Sequence, residues 1–412
     1  MHSTLKNREI ILGITGGIAA YKTAELVRQL TKKGANVHVV MTKNAMEFVT
    51  PLTFQTVSGH EVTHEMFRLL TGAQIGHIAL ADIADQIVIV PATANVIGKV
   101  ANGIGDDFLT TMIMATTVPV LFVPSMNTKM WESRIVQANI EKLKENGYEF
   151  MEPASGDLAC GWQGKGRLPS LEDIMEKMED IFTAKDFVDQ RVLVTAGPTT
   201  EFIDPVRCIT NNSSGKMGYA IARIARRRGA EVVLITGKTY IDPPRSDVKV
   251  INVVTAEEMR AAVMKEQERC SVIIKAAAVA DYRCCSETCE KIKKKDGQEE
   301  MTLTLRKNPD ILAELGKICG DRVLVGFAAE TNDLIENARE KLKKKNLDLI
   351  VANDITKTGI GFGSDENQVT LIDRSGTVRQ TQKLSKDEIA HIILDSALKI
   401  VKKKRKVEED WY

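Results

Sequence analysis

Long apolar runs are missing from these 412 residues: none reaches the roughly 18–20 needed to span a bilayer. The opening MHSTLKNREI holds no apolar stretch of the kind that marks a secretory signal, so a cytoplasmic protein is expected. An excess of one charge is missing too. Lys and Arg number 56 against 55 Asp and Glu, a net +1, so no global field favours nucleic acid or an anionic membrane, and neither is expected as a partner. Cysteine is sparse and odd in number, at seven, which argues for free thiols over a disulfide framework. Cys284, Cys285 and Cys289 lie close together but lack the two spaced pairs of a zinc ribbon and have no His nearby; they read as loop thiols. Two nucleotide fingerprints are also absent. Gly13, Gly16 and Gly17 have the wrong spacing for G-x-G-x-x-G, and the strand that follows ends in Met41-Thr42 where an NAD site wants an acid. No Walker loop exists either: Lys165 is followed by Gly166, and beside Lys216 stand Thr210 for the first Gly and Met217 for the Ser or Thr.

What is present is one grammar used twice. REIILGIT leads through Gly16-Gly17 into IAAYKTAELVRQLTKKG, where Ala20, Ala24, Val27 and Leu30 recur at helical spacing and Gly34 closes the helix; ANVHVVMT follows as a strand. RVLVTAGPT leads through a polar loop into GKMGYAIARIARRRG and then AEVVLITG. Further strands are expected at DQIVIVPAT, VPVLFVPSM, VKVINVV, SVIIKAAAV, RVLVGFAAE, LDLIVAND and QVTLID. Strands alternating with amphipathic helices predict an α/β fold class: two doubly wound, three-layer domains, Rossmann-like or flavodoxin-like, with mainly parallel sheets. The boundary is expected in the polar connection AKDFVDQ, giving domains 1–189 and 190–412, after a helix over Leu171–Phe182. A last helix is expected over about Lys386–Lys403, and the basic run Lys402–Lys406 reads as its solvated end.

In such sheets ligands sit beyond the carboxyl ends of the strands. GITGGIAAYK places small residues and a helix N-terminus there, which suits the terminal phosphate of a mononucleotide such as FMN. VPATAN supplies a second strand end, where Thr93 and Asn95 either cap a helix or face the ligand. His77, in GHIALADIAD, is either a helix-start residue or a base poised near neutrality. Asn127, in VPSMNTKMW, either starts a helix or binds a carboxylate through its amide. The Gly-rich DLACGWQGKGR contains Cys160, and Lys165 and Arg167 that could reach a phosphate. In the second half, Asn211–Gly215 enters a helix whose N–H groups can hold a phosphate, with Ser213 or Ser214 as the alternative N-cap. Lys275, Lys291, Lys341 and Lys345 recur near strand or helix ends; spacing alone does not choose among them.

Over residues 8–182, GGIAAYK, GHI, PATAN, PSMNTKMW and ACGWQGKGR resemble the flavin-dependent cysteine decarboxylases. That resemblance implies FMN as oxidant, held around Thr15, Gly16, Gly17, Ile18, Thr42, Pro91, Ala92, Thr93 and Asn95. It makes His77 the base, Asn127 the carboxylate ligand, the Gly-rich stretch a mobile flap, and Cys160 the acid that protonates carbon when the ene-thiol is reduced. Over residues 190–400, AGPT, NNSSGKMG, KAAAVADY, KIKK, KNPDIL, VGFAAET and KKNLDLIVAND resemble the phosphopantothenate–cysteine ligase domain. That implies CTP with Mg2+ as activator of the substrate carboxylate. Its nucleotide contacts fall on Lys275, Ala276, Ala277, Asp281, Lys291, Pro309, Asp310, Ile311, Leu312, Phe327, Lys341 and Lys345, and Asn211 matches the Asn needed to convert the acyl intermediate. One departure is CCSETCE, which intervenes between ADYR and KIKK and bears on where Lys291 falls.

The two halves in this order resemble the fused bacterial enzymes of coenzyme A synthesis, with 4'-phosphopantothenate, cysteine and CTP as small-molecule partners. The family implies a homo-oligomer, a trimer through the decarboxylase half and a dimer through the ligase half, reaching a dodecamer. The rival readings are a non-catalytic flavoprotein regulatory subunit and a reductase using both nucleotide folds. The first conflicts with the presence of His77, Asn127, Cys160 and a whole ligase half; the second with the missing dinucleotide fingerprint.

Overall fold

The computed structural model describes residues 4–66, 76–157, 161, 163–242, 247–286, 288–293, 300–330, 333–354 and 363–409. Two compact units meet in sequence between Thr183 and Ala184. The first holds β1 (Glu9–Ile14), α1 (Ala20–Lys32), β2 (Asn36–Met41), α2 (Pro51–Ser58), α3 (Gly76–Ile83), β3 (Gln86–Ala92), α4 (Ala94–Ala101), α5 (Phe108–Ala115), β4 (Val120–Pro124), α6 (Thr128–Trp131), α7 (Arg134–Glu145), β5 (Glu149–Phe150), β6 (Ala154–Asp157), β7 (Gln163–Arg167) and α8 (Leu171–Phe182). Its five-stranded sheet runs β2-β1-β3-β4-β5, all parallel. This is the flavodoxin-like order, with the strand order reversing between β1 and β3. Alternation along each strand builds two cores. Leu12, Ile14, Val88, Val90, Leu121 and Val123 face α1, α2 and α8, while Ile11, Ile87, Ile89 and Phe122 face α4, α5 and α7. Both faces are covered, which is why these strands read as unbroken apolar runs.

The second unit holds β8 (Arg191–Ala196), β9 (Thr200–Phe202), β10 (Cys208–Thr210), α9 (Lys216–Arg227), β11 (Glu231–Thr236), β12 (Lys249–Asn252), α10 (Ala256–Glu266), β13 (Val272–Lys275), β14 (Tyr282–Cys284), β15 (Leu305–Lys307), α11 (Ile311–Ile318), β16 (Val323–Glu330), α12 (Leu334–Lys344), β17 (Leu349–Asp354), β18 (Glu366–Asn367), β19 (Val369–Asp373), β20 (Val378–Gln380), β21 (Leu384–Ser385) and α13 (Lys386–Glu409). Its sheet runs β12-β11-β8-β13-β16-β17-β19-β20. The first six strands are parallel in the Rossmann order, and β19 and β20 extend them antiparallel. Here the order reverses between β8 and β13. The fold class expected from the sequence is the one observed.

The boundary is earlier than expected by six residues, from 189 to 183. Residues 184–189 belong to the second unit because Phe187 is fully buried in its core and its N–H donates to Arg228 O at 2.9 Å. Arg228 lies over the Phe187 ring and pairs with Asp186 at 2.6 Å and Asp395 at 2.7 Å. The last helix also runs on, from the expected Lys403 to Glu409. Among the described residues no helix is long and apolar enough to cross a membrane.

One buried carboxylate joins three elements of the second sheet. Asp348, 4% exposed, accepts from Leu324 N at 2.9 Å and from Lys404 Nζ at 3.0 Å, and pairs with Arg374 at 3.3 Å. Asp348→Ala leaves the Leu324 N–H and the Lys404 ammonium without that acceptor. It should destabilise the chain by about 2–4 kcal/mol. Urea unfolding followed by circular dichroism checks this; a loss below about 1 kcal/mol would reject it.

Candidate functional site

The switch point of the first sheet opens into a cavity of about 1080 Å³. Gly16, Gly17, Ile18, Thr42, Thr93, Asn95 and Asn127 all line it. Thr15, Pro91 and Ala92 lie just beneath. Thr15 Oγ1 donates to Pro91 O at 2.6 Å and accepts from Thr93 N at 3.1 Å, so a buried hydroxyl ties the ends of β1 and β3 together. Thr93 is the N-cap residue of α4, yet its side chain makes no cap hydrogen bond; it lies 3.1 Å from Thr15 Oγ1 instead. At the start of α1 there is no side-chain cap and no acid in the first turn, and the N–H groups of Ile18 and Ala19 make no backbone hydrogen bond among the described residues. Such an end attracts a phosphate. Lys22, Lys43, Lys99 and Arg167 supply positive charge on the wall. Lys99 is committed to Asp106 at 2.7 Å and Asp107 at 3.3 Å, and its ammonium is held above the usual range chiefly by the Asp106 hydrogen bond. Lys22, Lys43 and Arg167 have no ion pair among the described residues. The residues therefore fit a flavin with a terminal phosphate: N–H groups and cations at one end, Ile18, Val96 and Met130 as apolar wall.

Asn127 satisfies both readings of its sequence. Its Oδ1 accepts from Lys129 N at 2.9 Å as the N-cap of α6, and the residue also faces the cavity. The Gly-rich stretch is a β-hairpin, β6 against β7, with Asp157 opposite Gln163 at its closed end. Cys160 lies outside the described residues. Gly164 and Gly166 permit close approach of neighbouring chain. A Cβ on Gly166 would stand 2.2 Å from Met126 O, and one on Gly164 2.7 Å from Thr128 Oγ1; both have positive φ, at 152° and 157°. Met126 N in turn donates to Gly166 O at 3.0 Å, so the hairpin is docked on the segment that carries Asn127. Lys165 pairs with Glu152 and sits 6.0 Å over Trp131, whereas Arg167 is on the cavity wall. His77 is not among the residues that line the cavity and lies in the first turn of α3. It packs edge-on against Phe108 at 6.0 Å, and its Nδ1 is buried with no hydrogen-bond partner among the described residues.

In the second sheet the switch point brings together AGPT, KAAAVAD and Asn211. Ala277 N donates to Thr195 Oγ1 at 3.1 Å and Ala280 N to Thr199 Oγ1 at 2.9 Å. Asn211 Nδ2 donates to Ala278 O at 3.2 Å and Val279 O at 3.0 Å. The helix α9 starts at Gly215 in a left-handed conformation, not at a serine; Ser213 Oγ accepts from Gly215 N at 3.3 Å. Lys275 ends β13, half-buried, with its ammonium pushed down to about 8 by burial first and then by Lys341 and Lys345. Those two are held nearby: Lys341 Nζ donates to Phe327 O at 3.0 Å, and Lys345 pairs with Asp310 at 2.8 Å. Burial opposes the charge on Asp310, but Lys345, the Ala313 N–H and Lys275 keep its carboxyl below the ordinary range. Ala276 packs against the core, and Asp281 O accepts from Asn308 N at 2.8 Å, next to Pro309.

Two expectations change in kind. Ile311 and Leu312 are 1% and 2% exposed, so only their backbone at the start of α11 can meet a ligand. Lys291 is not joined to the Lys275 group by any hydrogen bond or ion pair; it is exposed, beside Ile292, whose N–H donates to Asp204 Oδ2 at 3.2 Å. Thr195 and Thr199 were missed, although each interrupts a small, apolar strand end. Among the described residues no three His, Cys, Asp or Glu side chains converge as a metal site, and Cys284, Cys285 and Cys289 are free.

A flavin-type site on a flavodoxin-like sheet, followed by a lysine-rich site on a Rossmann-like sheet, defines a two-domain flavoprotein. Residues 1–183 match the family model described as Flavoprotein, and residues 187–401 match that of the DNA/pantothenate metabolism flavoprotein C-terminal domain. The Coenzyme A biosynthesis bifunctional protein CoaBC of Bacillus subtilis is 48% identical over 393 residues, 95% of this chain and 96% of that one. Its Escherichia coli namesake is 44% identical over 376 residues, 90% and 92% of the two chains. A solved C-terminal domain of a CoaBC protein matches at 39% identity and a TM-score of 0.46, covering 53% of this chain and 100% of that one. The chain belongs to the family of Coenzyme A biosynthesis bifunctional proteins.

Gly166→Ala forces the hairpin off Met126. Trypsin should then cut at Lys165 or Arg167 roughly tenfold faster, with global urea unfolding little changed. Unchanged cleavage would show that the hairpin is not held by this contact.

Proposed function

We propose that the chain catalyses two successive steps of coenzyme A synthesis. The second unit joins cysteine to 4'-phosphopantothenate, and the first decarboxylates the 4'-phosphopantothenoylcysteine so formed to 4'-phosphopantetheine. The observation that carries this reading is the pairing, in one chain, of a mononucleotide cavity walled by Asn127 with a second switch point ringed by Lys275, Lys341 and Lys345. A purely regulatory flavoprotein has no use for the second.

In the ligase, the substrate carboxylate attacks the α-phosphate of CTP, pyrophosphate leaves, and the amine of cysteine displaces CMP from the acyl-cytidylate. Lys275, Lys341 and Lys345 hold the phosphates as point charges, while Ala276, Ala277 and the α11 N-terminus at Pro309–Leu312 offer backbone groups. Asp281, Phe327 and Lys291 complete the proposed nucleotide contacts. Asn211 orients the acyl intermediate in this reading, which its bonds to the Ala278 and Val279 carbonyls support. Mg2+ enters bound to the triphosphate, in keeping with its habit of keeping few protein ligands.

In the decarboxylase, bound FMN supplies the two-electron acceptor and later donor. Asn127 holds the carboxylate of the cysteine moiety, and His77 takes the thiol proton as its Cβ–S bond is oxidised to a thioaldehyde. CO2 then leaves, and the ene-thiol remains. Cys160 delivers the proton that carbon needs when the ene-thiol is reduced. Thr15, Pro91, Ala92, Thr93 and Asn95 shape the crevice, and the N–H groups at Gly16–Ala19 take the phosphate. The apolar side chains at the cavity rim, Ile18 at 56% and Tyr21 at 59% exposure, favour a homo-oligomer with this face covered.

Purified full-length protein tests the reading directly. It should be yellow, form CMP only with cysteine present, and release CO2. Cys160→Ser should leave CO2 release within about twofold of wild type while an oxidised ene-thiol accumulates in place of phosphopantetheine. Normal phosphopantetheine at the wild-type rate would remove Cys160 from the acid's role; a colourless protein would remove the flavin.

The ligase also has a pH signature. With its ammonium near 8, Lys275 is cationic below that value and loses its charge above it. Affinity for CTP should therefore fall by roughly tenfold from about pH 7 to about pH 9. Lys275→Arg keeps the charge and should flatten the profile; a profile of equal slope in both proteins would exclude Lys275 as its source.

A further inference from the structure

In the second unit the carboxylate between β9 and β10 is fully buried. Asp204, 0% exposed, follows β9 and precedes β10, the hairpin that runs straight into Asn211. Its Oδ1 accepts from Val206 N and Arg207 N, both at 2.8 Å. Its Oδ2 accepts from Ile292 N at 3.2 Å and from Arg207 Nη1 at 3.1 Å. The bonds to Val206 and Arg207 fold the hairpin tip; the bond from Ile292 reaches 88 residues along the chain to the neighbour of Lys291. The same loop is tied further by Thr288, whose N and Oγ1 donate to Ile203 O at 3.3 and 3.2 Å, and by Arg207 Nη2, which donates to Ile292 O at 3.4 Å.

Burying a carboxylate is costly unless all its lone pairs are used, and here four donors use them. The placement fits a joint more than a surface turn, because an Asx turn alone needs only the Val206 and Arg207 bonds. The loop between β14 and Lys291 is also the place where the sequence departs from its resemblance, with CCSETCE inserted. A loop lengthened there needs an anchor at its far end if Lys291 is to keep its position.

We propose that Asp204 is a positioning residue that clamps the Lys291 loop to the hairpin leading to Asn211, so that nucleotide-binding and acyl-transfer groups keep one register. This rests on the reading of Lys291 as a nucleotide contact. Asp204→Asn keeps the size and one acceptor oxygen but loses the charge and one acceptor site.

The test compares Asp204→Asn, Lys291→Ala and the double variant in the full chain, with the decarboxylase rate on synthetic phosphopantothenoylcysteine as a folding control. Each single variant should raise the ligase KM for CTP by roughly tenfold, with kcat changed less and CO2 release unchanged. The double variant should be no worse than Lys291→Ala alone. Multiplying effects in the double variant, or an unchanged KM in Asp204→Asn, would overturn the clamp. A silent Lys291→Ala beside an impaired Asp204→Asn would overturn the clamp by way of the Lys291 reading itself, which is how the two failures are told apart.

Discussion

A threonine hydroxyl at the end of the first strand holds each ligand crevice together. In the flavodoxin-like sheet it is Thr15, bonded to Pro91 O and Thr93 N; in the Rossmann-like sheet it is Thr195, bonded to Ala277 N. Both side chains are buried, at 0% and 1%, so each must find a partner inside the protein. The partners available lie on the neighbouring strand across the reversal of strand order. Helices depart to opposite faces at that point, so the threonine's bond spans the two strand ends, joined in the second sheet by Ala278 N to Gly197 O at 2.9 Å and Ala280 N to Thr199 Oγ1 at 2.9 Å. The hydroxyl therefore fixes the width of the crevice into which backbone N–H groups point. The cradle for phosphate at Gly16–Ala19 and the placement of Lys275 both inherit their geometry from these bonds.

The two crevices handle charge differently. In the first, Lys99 is saturated by Asp106 and Asp107, and the remaining cations stand on an open wall with an uncapped helix end. A single phosphate needs little more, and a weak field leaves the flavin ring to be held by apolar contact. In the second, three lysines share one region, with Asp310 as the acid in direct contact. Like charges and burial depress Lys275, a cost that a bound triphosphate relieves. Such a site is unfavourable when empty and favourable when filled, and that difference is binding energy for a polyanion.

Much of this was legible in the residues. Unbroken apolar runs bounded by glycine gave away parallel strands, and every strand expected at a crevice is there, because buried parallel strands admit little else. Hairpins outside the main sheets were not legible. β6–β7 is built from QGKGR and ASGD, with hardly an apolar residue, since it packs its backbone, not its side chains, against Met126. The same contact explains why a glycine-rich stretch beside two cations looked like a phosphate cradle. Glycine marks close approach of any kind, and sequence does not say whether a phosphate or a carbonyl comes near. Ile311 and Leu312 illustrate another limit: a position that fits a nucleotide contact can do so through its backbone while its side chain serves the core. Lys291 shows a third, because an exposed lysine in a loop takes its position from whatever anchors the loop, here a carboxylate 88 residues away.

The order of chemistry follows from which carboxylate each site must spare. Ligation has to activate the carboxylate of phosphopantothenate in the presence of free cysteine, which carries a carboxylate of its own. A site that reads polyphosphate through Lys275 and its neighbours does not distinguish the two acids by charge; the acid tethered to a phosphate-bearing chain must be presented by shape. Decarboxylation then has to remove the cysteine carboxylate, the one left untouched. In the role proposed for it, Asn127 would suit that task because an amide, unlike a lysine, binds a carboxylate without strongly stabilising its charge, so that losing CO2 would forfeit little binding energy. An ammonium in its place would hold the ground state more tightly than the departing neutral molecule and slow the step it serves. The neutrality of that side chain, fixed at the wall by its bond to Lys129 N, is thus part of the chemistry and not only of the helix cap.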